Sequence, residues 1–455
     1  MDYCPNCGYK ILQEDLFCGN CGFSLSQIRS KSNSSSGTCK GIIFTDTLAL
    51  ATKLRVSLGV VCNALKNYIN KVASQITYEL LDYSNASSSS LRGCYDRNTR
   101  KDWLRYHKFL YSKYSFLWNS DIEYLFIIGS DDIIPMPLFQ NFIPGTDGVV
   151  SSDILYGYFD MISQSVNLNT VFKSSLRFHI GRLPLSTDAT FDQLQSYLDR
   201  SANVIGKGIP VQMVYAQCDP NWKQVSKNVV SQLSEKKLIP HVEADLQLIY
   251  NDIFLSPFVT KDNIGEAFNT YANLYYFNLH GSSVPEVSCF LGFSENDESR
   301  CKPYVAITPK SFEESLCDNI VVTEACYGGR HNGLAMNDSM LLTSMYNETL
   351  LYLGSSITAY GAVDKIYKKS ACMYGADILA KEFISGLMSG YTAGEALHLA
   401  RKKLFMNSVD EYKLVNMLTI LEFSLYGDPF LTALFPNSSK EKEIVSPEYS
   451  SEIKE

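Results

Sequence analysis

The chain has 455 residues, of which 45% are apolar and 19% charged, and its 40 basic and 48 acidic residues leave a formal net charge of −8. That length exceeds one ordinary core, so two or three folding units are expected. The acidic balance argues against a nucleic-acid surface, and no apolar run approaches the roughly 18–20 residues that a membrane span requires. Met1-Asp2-Tyr3-Cys4 has neither a basic nor an apolar leader segment, so a soluble, cytoplasmic protein with no membrane partner is expected.

The 13 cysteines are unevenly placed, with four in the first 21 residues. Cys4-Pro5-Asn6-Cys7 and Cys18-Gly19-Asn20-Cys21 are two Cys-x-x-Cys pairs, and Gly8 and Gly22 follow them directly. Each pair can grip one metal from a tight turn, and a short hairpin between them assembles a tetrahedral Zn2+ site. Residues 1–23 are therefore read as a zinc ribbon with Cys4, Cys7, Cys18 and Cys21 as ligands. A piece this small has little core, so the metal supplies most of its folding energy. With every position filled by a thiolate, the zinc is structural. Between Cys4 and Phe23 the only basic residue is Lys10, which favours a protein over a nucleic acid as the ribbon's docking partner.

Residues 24–40 are Ser-rich and read as a flexible linker. From Gly41 onward, apolar strands alternate with helical stretches, the pattern of an α/β protein built on a largely parallel sheet. The expected strands are Gly41–Thr45, Ile122–Gly129, Arg177–Gly181, Val211–Ala216, Leu274–Leu279, Ile320–Glu324, Leu350–Ser355 and Leu421–Leu425. The expected helices are Thr47–Leu80, Phe191–Ile205, Trp222–Lys236, Met373–Ser389 and Ala393–Phe405. A pause at Gly206–Pro210 divides the body into two similar α/β subdomains, 41–205 and 206–435. Residues 436–455 form a charged tail with no core-forming pattern, expected to be disordered.

Several strands end abruptly in polar residues and glycine: FIIGSDD, VYAQCDP, YFNLHGSS and VVTEACYGG. In a parallel sheet such ends share one edge, where open α/β folds place their ligands. His280 and Cys326, 46 residues apart, are thereby expected on one rim. Alone, each residue reads as ordinary packing or a turn. Together, each ending a buried strand with glycine behind it, they point to a thiol nucleophile and its base. His331 in the loop GGRHNG is a rival base. The glycines after Cys326 let a substrate backbone approach, and the Gly281 and Cys326 amides can face a developing oxyanion. Asp131, Asp132 and Asp153 could hold Ca2+, although they lack the usual loop spacing. No Gly-x-x-x-x-Gly-Lys-Ser/Thr loop and no His-Glu-x-x-His motif is present.

Caspases carry Gln-Ala-Cys-x-Gly with a histidine about 50 residues upstream, and Glu324-Ala325-Cys326-Tyr327-Gly328 below His280 is similar. The body resembles the gingipain-type cysteine peptidases, relatives of caspases, legumains and separases. The resemblance rests on His280-Gly281, Ala325-Cys326, IIGSDDIIPMP (127–137), Ser152–Gly157, HIGRLP (179–184) and LYGDPFL (425–431). It implies two caspase-like subdomains, the second holding a Cys326–His280 dyad, with the Gly281 and Cys326 amides as oxyanion hole. It also implies a group orienting the histidine at the end of strand Val211–Ala216, where Gln217 stands. The substrate pocket would draw on Asp219 and Trp222, and on Ser355 and Tyr360 within the wall Gly354–Tyr360.

The expectation is an intracellular cysteine endopeptidase that cleaves proteins through a thioester acyl-enzyme. Its role would be regulatory, and its substrates could include the chain itself. An activating or docking protein would sit at the ribbon. The alternative is an inactive caspase-like adaptor that binds a partner through the ribbon and body.

Overall fold

The Ser-rich stretch gives way to the first strand at Cys39. In a computed structural model, residues 39–85, 102–114, 122–143, 147–158, 176–234, 249–250, 253–255, 272–282, 289–293, 303–312, 318–364, 373–406 and 408–436 are described. The chain divides into two compact units, Met1–Cys39 and Lys40–Glu455. The expected zinc ligands and the C-terminal tail after Pro436 lie outside the described residues.

Up to residue 205 the strands are β1 (Cys39–Thr45), β2 (Ile76–Asp82), β3 (Ile122–Ile128), the hairpin pair β4 (Leu138–Gln140) and β5 (Val149–Ser151), and β6 (His179–Leu183). Then come β7 (Ile209–Pro210), β8 (Val214–Cys218), β9 (Ile249–Tyr250), β10 (Ile253–Leu255), β11 (Leu274–Asn278), β12 (His280–Gly281), β13 (Phe290–Gly292) and β14 (Tyr304–Ile307). The last four are β15 (Asn319–Thr323), β16 (Thr349–Ser355), β17 (Phe423–Tyr426) and β18 (Ala433–Leu434). Eleven of these strands form one sheet in the order β2-β1-β3-β6-β17-β16-β15-β11-β8-β10-β9. The body is thus spanned by one sheet, with β1, β2, β3 and β6 on one flank and β8 to β11, β15 and β16 on the other. β17, from near the C-terminus, joins the flanks by pairing antiparallel with β16 and parallel with β6.

Nine helices are described: α1 (Thr47–Leu54), α2 (Leu58–Val72), α3 (Asp102–Tyr114), α4 (Phe191–Val204), α5 (Lys223–Ser234), α6 (Met340–Asn347), α7 (Ala376–Met388), α8 (Ala393–Met406) and α9 (Lys413–Glu422). Among the described residues no single helix is long and apolar enough to cross a membrane.

Two expectations need correction. The single helix expected over Thr47–Leu80 is two helices and a strand. Asp46 caps α1 by accepting from the Ala49 N–H at 2.9 Å, and Arg55 closes it in the left-handed region at φ 55°. Ile76 to Glu79 then alternate buried and exposed side chains at the start of β2, a period of two that no helix can satisfy. The strand expected at Leu421–Leu425 begins only at Phe423, because α9 runs through Glu422.

The central strands β8, β11, β15 and β16 are buried along their whole length, as strands covered on both faces must be. Some buried polar side chains elsewhere in the sheet are held by specific partners. Arg182 in β6 is fully buried; its Nε and one terminal nitrogen reach the two Asp153 oxygens at 2.7 and 2.6 Å. Its other nitrogen donates to the carbonyls of Gly129 and Ile134 at 2.5 and 2.8 Å. Buried Asp428 accepts hydrogen bonds from the Tyr68 and Tyr78 hydroxyls, tying α2 and β2 to the segment after β17. Asp428 and Arg182 thus explain two short motifs, LYGDPFL and HIGRLP, as structural fastenings.

Candidate active site

β8, β11, β15 and β16 run parallel to one another, with Cys218 opposite Asn278, Phe277 opposite Thr323 and Val322 opposite Leu353. Their carboxyl ends therefore share one edge. The chain leaving them carries Asp219, His280, Cys326 and Ala359 respectively. Residues spread over 140 positions converge there because three crossovers return the chain in the same direction.

His280 opens the short strand β12, which pairs with β13. Its ring packs against Trp222 with 4.4 Å between centroids and meets Phe293 edge-on at 5.4 Å. Nε2 lies 3.8 Å from Oδ2 of Asp219, whose side chain is 0% exposed against 35% for the histidine. Asp219 is itself held: Oδ2 accepts the Phe293 N–H at 2.7 Å, and Oδ1 accepts the Asn221 N–H at 2.8 Å. Burial lowers the His280 pKa from its usual value, and the Asp219 carboxylate opposes that shift.

The Gly281 backbone is seated on the Cys326 backbone. A Cβ at position 281 would stand 1.6 Å from the Cys326 carbonyl oxygen and 3.1 Å from its nitrogen. Only glycine permits that approach. The Cys326 sulfur accepts the Ala359 N–H at 3.3 Å and lies 3.6 Å from the Ala359 carbonyl. Burial raises the thiol pKa; the amides of Ala359, Gly281 and Cys326 itself pull it down, and the Glu422 carboxyl adds to the rise. Both shifts favour the neutral forms of the thiol and the imidazole. Among the described residues no hydrogen bond links the two. Such bonds are often long before substrate arrives.

The chain after the sulfur is fixed by two tyrosines. Tyr352 donates to the Gly328 carbonyl at 2.6 Å and Tyr426 to the Gly329 carbonyl at 2.9 Å.

The remaining expected site residues are placed as follows. Gln217 lies inside β8, fully buried, and its Oε1 accepts from the Tyr215 hydroxyl at 3.3 Å. The group facing His280 is instead Asp219, first assigned to the pocket. The predicted strand ended at Ala216, whereas β8 continues to Cys218, so the first rim residue comes two positions later. Trp222, also assigned to the pocket, packs at a tilt against the histidine. Ser355 is fully buried, and its hydroxyl donates to the Ile357 carbonyl at 2.9 Å. Tyr360 is half-buried against the core, and its carbonyl accepts the Ala376 N–H at 2.9 Å. The rival base His331 is buried against Tyr426, with Nδ1 3.1 Å from the Gly329 carbonyl, and burial depresses its pKa to about 4.

The calcium expectation finds no support among the described residues. Asp131 accepts the Met136 N–H at 2.7 Å, Asp132 pairs with Lys53 at 2.5 Å, and Asp153 is spent on Arg182. Among the described residues no group of three or more His, Cys, Asp or Glu side chains is arranged to hold a metal.

Comparison with known proteins agrees with this architecture. Residues 3–25 match the zinc-ribbon domain family. No curated protein matches the chain. Among solved structures it is similar to the complex of Porphyromonas gingivalis RgpB pro- and mature domains, with TM-score 0.56 and 14% identity over 87% of this chain and 80% of that one. It is also similar to the Arg-specific cysteine proteinase gingipain R (RgpB), with TM-score 0.53 and 15% identity over 89% and 80%. A third structure, described as a protease, gives TM-score 0.53 and 10% identity over 89% and 81%. At these identities the likeness is one of fold. The chain has the caspase-like α/β fold of gingipain, with a zinc-ribbon domain at its N-terminus.

Proposed function

We propose that the chain is a cysteine endopeptidase with Cys326 as nucleophile and His280 as general base. The observation that carries this reading is the seating of Gly281 on Cys326, which brings the histidine's own segment against the thiol's backbone. His280 takes the thiol proton as the sulfur attacks a peptide carbonyl. The negative oxygen then forms beside the amides of Gly281 and Cys326. Protonated His280 gives its proton to the leaving amine, and a thioester remains on Cys326. A water deprotonated by His280 hydrolyses that thioester and restores the thiol. Buried Asp219 orients the imidazole and stabilises its charged form, the role earlier given to Gln217. Desolvation favours a neutral resting pair, so charge develops during the reaction, where preorganised dipoles act most strongly.

Cys4, Cys7, Cys18 and Cys21 suit a structural zinc, and the ribbon would dock a protein substrate or an activating partner. The protein would work inside the cell, on few substrates. Purified full-length chain incubated with a peptide library tests the catalytic part: cleavage is expected from the wild type and none from Cys326→Ala or His280→Ala. Equal cleavage by Cys326→Ala would overturn it. The competing reading, an inactive binding platform, draws on the absent His280–Cys326 hydrogen bond. Wild-type protein that leaves the whole library uncut would establish that reading instead.

A further inference from the structure

The rim residues come from strands β8, β11, β15 and β16, yet a hairpin from the opposite flank of the sheet reaches them. Asp147 immediately precedes Gly148 and β5. Its Oδ1 accepts the Tyr327 hydroxyl at 2.5 Å. Its Oδ2 accepts both the N–H and the hydroxyl of Thr358, at 3.0 and 2.7 Å. The two held hydroxyls are 3.2 Å from one another. A second link runs alongside, from the Ser356 hydroxyl to the Ser151 carbonyl at 2.9 Å.

Both residues gripped by Asp147 adjoin an atom that sets the thiol's position. Tyr327 follows Cys326 and has φ 56°, in the left-handed region that a bulky residue seldom occupies. Its N–H also donates to the Ile357 carbonyl at 2.8 Å. Thr358 precedes Ala359, the residue whose N–H donates to the sulfur. Partial burial acts to raise the Asp147 pKa, but the hydrogen bonds from Tyr327 and Thr358 outweigh it and hold the carboxyl below its ordinary value. One carboxylate therefore ties together the two segments between which the sulfur sits.

We propose that Asp147 is a positioning residue: by clamping Tyr327 to Thr358 it holds the Cys326 thiol between its own backbone and Ala359. The inference rests on Cys326 being the nucleophile of the proposed peptidase. Without the clamp, Tyr327 can relax toward the common backbone region, which turns the Cys326 side chain and lifts Ala359 from the sulfur. Misplacement of a reacting group by about 1 Å costs up to 100-fold in rate.

The test uses full-length Asp147→Asn and Tyr327→Phe, the latter removing one hydroxyl, and their double variant. Two readouts are taken: kcat and KM for peptide cleavage, and the rate of iodoacetamide alkylation at Cys326 against pH, followed by peptide mass spectrometry. Each single variant is expected to lower kcat roughly 10- to 100-fold with KM little changed. Each should also move the alkylation midpoint to higher pH, since the sulfur loses a donor. The double variant should be no worse than the poorer single variant, because both remove the same clamp. Wild-type kcat and an unmoved midpoint in Tyr327→Phe would overturn the clamp while leaving the peptidase reading intact. A moved midpoint in a protein whose wild type cleaves nothing would support the clamp and discard the peptidase reading.

Discussion

Gly281 and Cys326 meet backbone to backbone at the rim: no atom larger than hydrogen fits between the Gly281 Cα and the Cys326 carbonyl oxygen. The approach places the residue after the histidine against the residue that carries the thiol. A methyl group there would collide with backbone, which cannot swing aside as a side-chain tip can. Gly281→Ala should therefore push the His280 segment off the nucleophile. Cleavage is expected to fall at least about 100-fold, the scale of losing one oxyanion donor. Stability should fall by about 1–3 kcal/mol, as in overpacked cores. Parallel peptide-cleavage and urea-unfolding measurements check both, and a variant with wild-type kcat would show that the contact is dispensable.

Asp219 and Gln217 are two residues apart and differ in what they face. Asp219 is 3.8 Å from the imidazole, whereas Gln217 bonds Tyr215 inside the sheet. Asp219→Asn keeps the shape and removes the charge that favours imidazolium, so kcat should drop roughly 10- to 100-fold. The acid limb of its pH–rate profile should also move to lower pH, because the carboxylate is what opposes the burial-driven fall in the His280 pKa. Gln217→Leu should leave both kcat and that limb unchanged. The reverse ranking in a pH–rate series would return the orienting role to Gln217.

That pair also shows what the amino-acid order could reveal. The parallel sheet was legible because VYAQC, LYYFN, NIVVT and TLLYLGS are short apolar runs that stop sharply, and the rim followed from their shared direction. Strand ends were less legible. Gln217 is polar but lies within β8, since a buried strand can keep a polar side chain that has a partner. Asp147 carried no signal, because its role depends on a hairpin reaching a loop 180 residues away. The split of Thr47–Leu80 was visible in the alternation of ITYE, which the preceding helical period obscured. Neither the histidine's packing against Trp222 nor the thiol's contact with Ala359 has a local sequence mark, because both are tertiary.

Arg182 and Asp153 test the claim that two of the family-like motifs are fastenings rather than chemistry. Both side chains are buried, and the guanidinium also serves two backbone carbonyls. Removing one partner strands the other charge, a loss of about 3–5 kcal/mol. Arg182→Met should therefore lower the urea midpoint sharply, and Arg182→Lys should not rescue it, since an ammonium cannot reproduce the two-pronged contact. Arg182→Met combined with Asp153→Leu should recover part of the loss. A single variant as stable as wild type would remove the pair from the fold's main supports.

Asp377 lies at the start of α7 behind the loop that touches the sulfur. Its Oδ2 accepts the Ala362 N–H at 2.7 Å, and its buried carboxyl interacts electrostatically with that of Glu324, which accepts the Tyr276 hydroxyl at 2.7 Å. Burial raises the Asp377 pKa to about 7 and raises that of Glu324 as well. Both native pKa values exceed the unfolded ones, so the folded state keeps protons that the unfolded chain releases near pH 4. Stability from this source is complete below that point and is lost as pH rises through about 7, where Asp377 ionises beside Glu324. Asp377→Asn keeps an acceptor for Ala362 and cannot ionise. Relative to this variant, wild-type Tm should decline between pH 5 and pH 7 and then level off, with other titrating groups cancelling in the comparison. Parallel melting curves of the two proteins would refute the raised Asp377 pKa. They would leave the loop beneath Cys326 held by neutral hydrogen bonds alone.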